Sequence, residues 1–115
     1  MGPGRQLLLI TKGRKSGEPR SVSLSYIEHG GDFIVVASNA GENESPAWWL
    51  NLRADPVGTV LVAGRSLPIT AHEVEDPERP EVFARFVAEM GETYLEYQRR
   101  TTRRLPVVAL TPTTM

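Results

Sequence analysis

The sequence has no cysteine and no long apolar segment. With no Cys among its 115 residues, disulfides, thiol catalysis and thiolate metal ligands are excluded, and a reducing cytoplasm is a fitting location. Apolar runs such as Leu7 to Ile10 fall far short of the roughly 20 residues that span a bilayer, and they are too short for a signal peptide. We therefore expect a cytoplasmic protein with no integral membrane segment, and peripheral membrane contact stays open.

Histidine is also scarce, which disfavours metal and hydrolase chemistry. The two histidines, His29 in a predicted turn and His72 on a predicted strand, lack the spacing of zinc ligands, and neither lies near a nucleophile elbow. No G-x-G-x-x-G follows a strand, and KGRKSG lacks the spacing of a P-loop. We expect no metal site, and redox chemistry in such a chain needs an organic cofactor that brings its own reactivity.

Charges nearly cancel over the whole chain but are unevenly distributed. The formal net charge is −1, from 13 Lys and Arg against 14 Asp and Glu. Bases cluster at residues 12–20 and again at residues 99–104, RRTTRR. Two basic clusters on a near-neutral chain favour a local site for an anionic ligand, because a nucleic-acid surface usually needs a basic domain. Ordinary surface loops that carry Lys and Arg are the alternative.

Alternating residues and glycine-rich turns predict a small antiparallel sheet. Val22, Leu24 and Tyr26 share one face of a strand, while the intervening serines share the other. A Gly-Gly pair then marks a tight turn before the next apolar run. We predict strands at residues 6–11, 21–27, 33–38, 57–63, 67–75 and 105–112.

Two helices and a shorter helical segment complete the secondary structure. Ser45 fits an N-cap and Pro46 the first position of a helix that ends by Asp55. Asp76 fits the cap of a second helix, which Gly91 ends, and residues 93–100 add a further helical turn or two. These elements predict an α+β fold in a single domain, residues 1–115, built as a small antiparallel β-barrel of about six strands with two or three helices.

Two segments carry residues suited to an anionic, planar ligand. In the turn KGRKSG, Arg14 offers a planar guanidinium, Lys15 a point charge and Ser16 a hydroxyl, which together suit a phosphate. In the loop ASNAGENESP, Ala40 and Gly41 leave room for a flat ligand against the backbone. The helix that follows favours the negative end of such a ligand at its start.

Aromatic residues near these segments have two interpretations each. Tyr94 and Tyr97 share a helix face, where they suit a stacked ring or simply pack at the barrel mouth. Trp48 and Trp49 point roughly 100° apart on a helix. We expect one to pack inward and the other to line a pocket or an interface, the alternative being that both are core or dimer contacts.

Taken together, three segments resemble the deazaflavin-dependent nitroreductase family of split β-barrel oxidoreductases. They are TKGRKSGEPRSVSL, FIVVASNAGENESPAWWLNLRADP and YLEYQRRTTRRLPVVALTP, and the resemblance extends from about Leu7 to Pro112. The order and spacing of the G-R-K-S-G turn and the P-x-W-x-L-N-L segment are specific to that family. Its members bind coenzyme F420, an 8-hydroxy-5-deazaflavin with a phospholactyl, oligoglutamate tail.

The resemblance implies a role for each part of the site. The residues that hold the cofactor would be Arg14, Lys15 and Ser16 at the phosphate, Lys12 near the tail carboxylates, Ser38, Asn39, Ala40 and Gly41 against the ring, and Pro46 and Trp48 beneath it. Ser25, Tyr94 and Tyr97 would form the substrate side. Tyr97, Ser38 or water would supply the proton.

The implied activity is hydride transfer from reduced F420 to a small electrophilic acceptor, namely a quinone, an enone or a nitro compound. Relatives that reduce bulky nitroimidazoles carry aromatic residues where this chain has Ser25 and Gly91, so we expect a more open substrate side. An FMN-binding split barrel and a non-catalytic F420-binding or storage protein are the rival interpretations. Apart from the small-molecule acceptor, we expect no nucleic-acid partner, and the chain would be a monomer or a homodimer.

Overall fold

Six antiparallel strands close into a barrel in this computed structural model, which describes residues 5–113. The strands are β1 (Arg5–Lys12), β2 (Pro19–His29), β3 (Asp32–Val36), β4 (Val57–Val62), β5 (Arg65–Glu73) and β6 (Val107–Pro112). Around the barrel they follow the order β1-β2-β3-β6-β5-β4, and β4 pairs with β1 to close it. The predicted α+β class and the antiparallel barrel are confirmed.

Within the described residues, three α-helices accompany the barrel: α1 (Ala47–Ala54), α2 (Arg79–Met90) and α3 (Thr93–Arg99). The predicted start of α1 is wrong by one residue, because the backbone of Pro46 is extended, with ψ of 153°, and precedes the helix. The Asp76 cap is also wrong. Glu78 precedes α2, and the Asp76 carboxylate instead pairs with Arg104 at 2.8 Å. Gly91 ends α2 as expected, with φ of 101°.

Side-chain alternation decides what fills the barrel. Leu7 and Leu9 of β1 point inward, and two of the strand's other apolar residues stay half exposed. Helix α1 contributes Trp48, Trp49 and Leu52 to this core, in which all three side chains are buried. The interior is therefore an apolar core, and a ligand must bind at its edge.

A second apolar layer lies outside the barrel and fixes helix α3. Phe86 of α2 is fully buried against residues of β2, β3 and β6. The ring of Tyr94 in α3 packs edge-on against Phe86, with 4.8 Å between the ring centroids. This contact places α3 beside the loop that follows β3. Within residues 5–113, no helix combines the length and the apolar character needed to cross a bilayer.

Candidate functional site

A continuous groove runs along strand β2, from the turn after β1 to helix α3. Its wider part, which we call the turn end, has a volume of about 710 Å³ and lies between residues 13–16 and the start of α1. Its narrower part, the tyrosine end, has a volume of about 350 Å³ and reaches Tyr94. The residues common to both parts are Val22, Asn39, Pro46 and Trp48.

The turn end is lined by a compact, basic turn. The N–H of Gly13 donates to Glu18 O and the N–H of Gly17 donates to Gly13 O, both at 2.8 Å. The predicted residues Arg14, Lys15 and Ser16 all line this part of the groove, together with Arg20. Arg14 and Lys15 are exposed, so an entering anion would meet two cations.

The hydroxyl of Ser16 is oriented by its neighbours. It accepts hydrogen bonds from the backbone N–H of Glu18 at 3.1 Å and from the guanidinium of Arg20 at 3.4 Å. A hydroxyl carries one proton and two lone pairs. Since both contacts use lone pairs, the proton of Ser16 remains available to an anion in the groove.

A buried residue that the sequence analysis gave no role, Asn51, fastens this turn to helix α1. Its Oδ1 accepts from the backbone N–H of Arg14 at 3.1 Å and from the Arg14 guanidinium at 3.0 Å. Its Nδ2 donates to the Thr11 hydroxyl at 3.1 Å. Asn51 thereby holds both the backbone and the side chain of Arg14. The one local signal was an amide within the apolar run WWLNL.

The start of α1 forms the floor between the two ends. None of the described side chains caps this helix, and Pro46 and Ala47 at its start line the groove, which brings the partial positive charge of the helix start close to it. Trp48 and Trp49 are both buried, at 7% and 5% exposure, and both belong to the core. Trp48 also lines both parts of the groove, so it combines the two roles that were expected of separate residues.

The loop after β3 forms one wall of the tyrosine end. Ser38, Asn39 and Ala40 line the groove. Asn39 and Ala40 adopt left-handed backbone conformations, with φ of 47° and 53°, which Asn tolerates but which are unfavourable for Ala40. The loop is therefore held by contacts elsewhere in the structure.

Gly41 of the same loop faces away from the groove. It is buried with φ of 81°, and a Cβ placed on it would lie 2.9 Å from the carbonyl oxygen of Tyr97 and 3.1 Å from the side chain of Arg100. Packing against the end of α3 therefore explains the glycine. A contact between Gly41 and a cofactor ring stays a prediction.

The opposite wall carries hydroxyl groups. Ser25 and Tyr94 line the tyrosine end, and Gln6 donates to the Ser25 hydroxyl at 2.6 Å while accepting from Ser23 at 3.2 Å. Burial raises the pKa of the Tyr94 phenol, the nearby phenol of Tyr97 raises it further, and hydrogen bonding to Ser25 opposes both effects. Tyr94 is thus a neutral hydrogen-bond donor at neutral pH.

Tyr97 is not among the residues that line the groove. Its ring lies behind Tyr94, with 5.5 Å between the ring centroids and an interplanar angle of 79°. The guanidinium of Arg100 lies 5.9 Å from the centre of the Tyr97 ring. The two tyrosines share a helix face as predicted, yet only Tyr94 reaches the groove directly.

The remaining cations lie outside the groove. Lys12 lines an adjoining cavity of about 530 Å³ on the outer side of the turn, which includes Asp55 and shares residues 13–16 with the turn end. None of the four arginines of RRTTRR, which all lie in the described part of the chain, lines the groove. Arg99 pairs with Glu96 at 2.6 Å and Arg104 with Asp76 at 2.8 Å, so these charges are used within the protein. The expectation that this cluster serves an anion site therefore has no support from the lining of the groove and stays a prediction.

Comparisons with known proteins agree with one another. A family model described as F420H(2)-dependent quinone reductase matches residues 1–112. An F420H(2)-dependent quinone reductase of Mycobacterium tuberculosis is 37% identical over 112 residues, which is 96% of this chain and 75% of that protein. A solved F420-H2 dependent reductase is 36% identical, with a TM-score of 0.82 over 92% of this chain and 93% of the other. A domain-swapped dimer is also 36% identical, with a TM-score of 0.83 over 92% and 79% of the two chains.

Proposed function

Because the chain belongs to the F420H(2)-dependent quinone reductase family, an oxidoreductase family, we propose that it binds reduced F420 in the groove and reduces a small quinone. The family match confirms the resemblance noted in the sequence. Enones and nitro compounds are further acceptors of the same electrophilic class. Two of the relatives named above are named for F420H2 and none is named for FMN, so the FMN alternative is not supported.

The observation that carries this proposal is the change of chemical character along the groove. The turn end presents exposed cations, the middle is apolar through Val22, Pro46 and Trp48, and the tyrosine end presents neutral hydroxyls. F420 has the same sequence of parts, with an anionic tail at one end and a planar ring at the other. The residues present therefore fit the coenzyme in one orientation.

The tail would lie at the turn end. Arg14 offers the phosphate a fork of N–H donors and Lys15 offers a point charge. The Ser16 hydroxyl can donate a further hydrogen bond. Lys12 lies on the outer side of the same turn, where carboxylates beyond the phosphate would reach it. Hydrogen bonds to a charged group contribute about 1.5–3 kcal/mol each, so this end would supply much of the affinity.

The ring would lie at the tyrosine end, between the loop and helix α1. Ser38, Asn39 and Ala40 bring backbone close to a flat ligand, while Pro46 and Trp48 support it from the helix side. Reduced F420, when bound, supplies a hydride. The task of the protein is then to hold ring and acceptor in near contact, because misplacement by about 1 Å costs on the order of 100-fold in rate.

The acceptor would lie against the hydroxyl wall. The carbonyl oxygens of a quinone accept hydrogen bonds, and the hydroxyls of Ser25 and Tyr94 can donate them. Ser38 lines the same end and is a candidate proton donor. Tyr97, the other candidate, packs its ring against Tyr94 and does not line the groove, so its role as proton donor stays a prediction. Ser25 also keeps this side free of a bulky side chain.

The proposal is tested by following the loss of F420H2 absorbance, without oxygen, for a panel of quinones, enones and nitro compounds. We expect acceptor-dependent oxidation that is fastest with a small quinone. Tryptophan quenching gives the affinities for F420 and FMN in parallel, since Trp48 lines the groove. Tight F420 binding with no oxidation by any acceptor would show a storage protein instead, and tighter binding of FMN would also contradict the proposal.

A further inference from the structure

Arg103 binds the loop that forms the wall of the tyrosine end. Its guanidinium donates to three backbone carbonyls, those of Glu42 at 2.9 Å, Ser38 at 2.9 Å and Ala37 at 3.3 Å. Arg103 is half-buried, and this partial burial lowers its pKa. No other side chain in the described residues donates to three carbonyls of one loop.

The backbone of Arg103 is in turn fastened to helix α3. The side-chain amide of Gln98 donates to Arg103 O at 2.7 Å and accepts from the N–H of Leu105 at 3.0 Å. The hydroxyl of Thr101 accepts from the N–H of Arg103 at 3.2 Å and donates to the Asn43 side chain at 2.8 Å. Helix α3, Arg103 and the loop are therefore one connected unit.

This unit joins the two walls of the tyrosine end. One wall is the loop with Ser38, Asn39 and Ala40, and the other carries Tyr94, which lies on α3. The loop includes Ala40 in an unfavourable backbone conformation, so it needs support from its surroundings to persist. Arg103 supplies that support from the side facing away from the groove.

We propose that Arg103 is a positioning residue, which fixes the loop wall relative to Tyr94 and so sets where the coenzyme ring and the acceptor meet. The expected effect on ligand binding rests on the proposed function, whereas the role of Arg103 in holding the loop does not. Lysine could not replace the arginine, because an ammonium on a flexible chain cannot match three carbonyls as a planar fork can.

The first test uses the protein without any ligand. Amide hydrogen exchange is measured for Gly41 and Glu42, whose N–H groups donate to Ser38 O at 2.9 Å and Asn39 O at 3.0 Å. In Arg103→Met we expect exchange at least about tenfold faster at both positions. Arg104→Met is the matched control, since that neighbouring arginine is exposed and pairs with Asp76. Unchanged loop exchange in Arg103→Met would overturn the proposal.

The second test separates positioning from a general loss of structure. Binding is measured for F420 and for a deazaflavin that lacks the phospholactyl, oligoglutamate tail. We expect Arg103→Met to bind the tailless ring about fivefold more weakly, while the ratio of the two affinities stays that of wild type, because the turn end is intact. A change in that ratio, or unchanged binding of the tailless ring, would contradict the proposal.

Arg103→Lys keeps the test decisive should the methionine variant fail to fold. It retains the charge. We expect it to show faster loop exchange and weaker ring binding than wild type, both to a smaller extent than Arg103→Met. Behaviour equal to wild type would overturn the role of the three-carbonyl geometry. If wild type itself binds neither deazaflavin, the proposed function fails, and the exchange experiment still decides whether Arg103 holds the loop.

Discussion

The two ends of the groove are built in opposite ways. The turn end presents exposed cations on a short turn, and Asn51 anchors that turn from the buried side. The tyrosine end has no charged residue among the described residues that line it, and its loop is held from behind by Arg103, the one half-buried arginine of RRTTRR. In both cases a polar side chain from a distant part of the chain holds the segment through hydrogen bonds to its backbone.

This difference separates two kinds of selectivity. Exposed charges act through Coulomb attraction, which salt screens over about 10 Å at 0.1 M. A rigid wall of backbone and aromatic side chains acts through shape, which salt leaves almost unchanged. The turn end would therefore contribute affinity for the coenzyme tail, and the tyrosine end would contribute geometry for the reaction.

The largest effect is expected from Gly41→Ala, which breaks the rigid wall. The new methyl group would meet the Tyr97 carbonyl oxygen at 2.9 Å, in addition to the backbone strain of φ at 81°. We expect a loss of about 3 kcal/mol in the free energy of unfolding, measured by urea denaturation.

Gly64→Ala is the matched control for this prediction. Gly64 has a similar φ of 77° but no neighbour within 4 Å of the added carbon. Strain alone should cost about 1–2 kcal/mol there. Equal losses in the two variants would show that the contact between the loop and α3 does not matter.

Lys15→Ala weakens the other end. We expect F420 affinity to fall by about 1.5–3 kcal/mol at low salt, since a hydrogen bond to a charged group is lost. Titration by tryptophan quenching measures it. Arg65→Ala removes an exposed cation outside the groove and should leave the affinity unchanged. Wild-type affinity in Lys15→Ala would show that the phosphate lies elsewhere.

Asn51→Leu tests the anchor of the basic turn. The change leaves the N–H of Arg14 and the hydroxyl of Thr11 without their buried partner. We expect about 1–2 kcal/mol less stability and a weaker F420 affinity, with binding of the tailless deazaflavin preserved. Thr11→Val removes one of the three hydrogen bonds and should change the F420 affinity less. A larger effect on the tailless ring would place Asn51 at the wrong end.

The smallest effect on coenzyme affinity is expected from Tyr97→Phe and Tyr97→Ala. Because Tyr97 reaches the groove only through Tyr94, we expect changes in kcat and acceptor preference, with F420 affinity within about threefold of wild type. Thermal unfolding is measured first, since the ring also packs on the outer apolar layer. A folded Tyr97→Ala that loses F420 and keeps its acceptor profile would assign Tyr97 to the coenzyme site.

Local sequence patterns were sufficient for the barrel. The alternation of apolar residues and serines on β2 indicates a strand without any knowledge of the strands that pair with it. The Gly-Gly turn indicates the hairpin. The helix starts were predicted less accurately, because the side chain of a candidate cap such as Asp76 can bind a different partner. That partner, Arg104, is 28 residues away in the chain.

The residues that hold the site together could not be predicted from local sequence patterns. Asn51 contacts Arg14 across 37 residues and Arg103 contacts Ser38 across 65, so no local pattern reports either bond. RRTTRR was interpreted by its charge, whereas Arg103 acts through the geometry of its donors. Gly41 was interpreted as leaving room for a ligand, whereas its lack of a side chain leaves room for the end of α3.

The division between the two ends is tested most directly by measuring the salt dependence of two affinities in wild type. One ligand is F420 and the other is the deazaflavin without the phospholactyl, oligoglutamate tail. We expect the F420 affinity to fall steeply as salt rises, and the affinity of the tailless ring to stay almost constant. Parallel curves for the two ligands, or equal affinities at low salt, would contradict a basic turn that holds the tail.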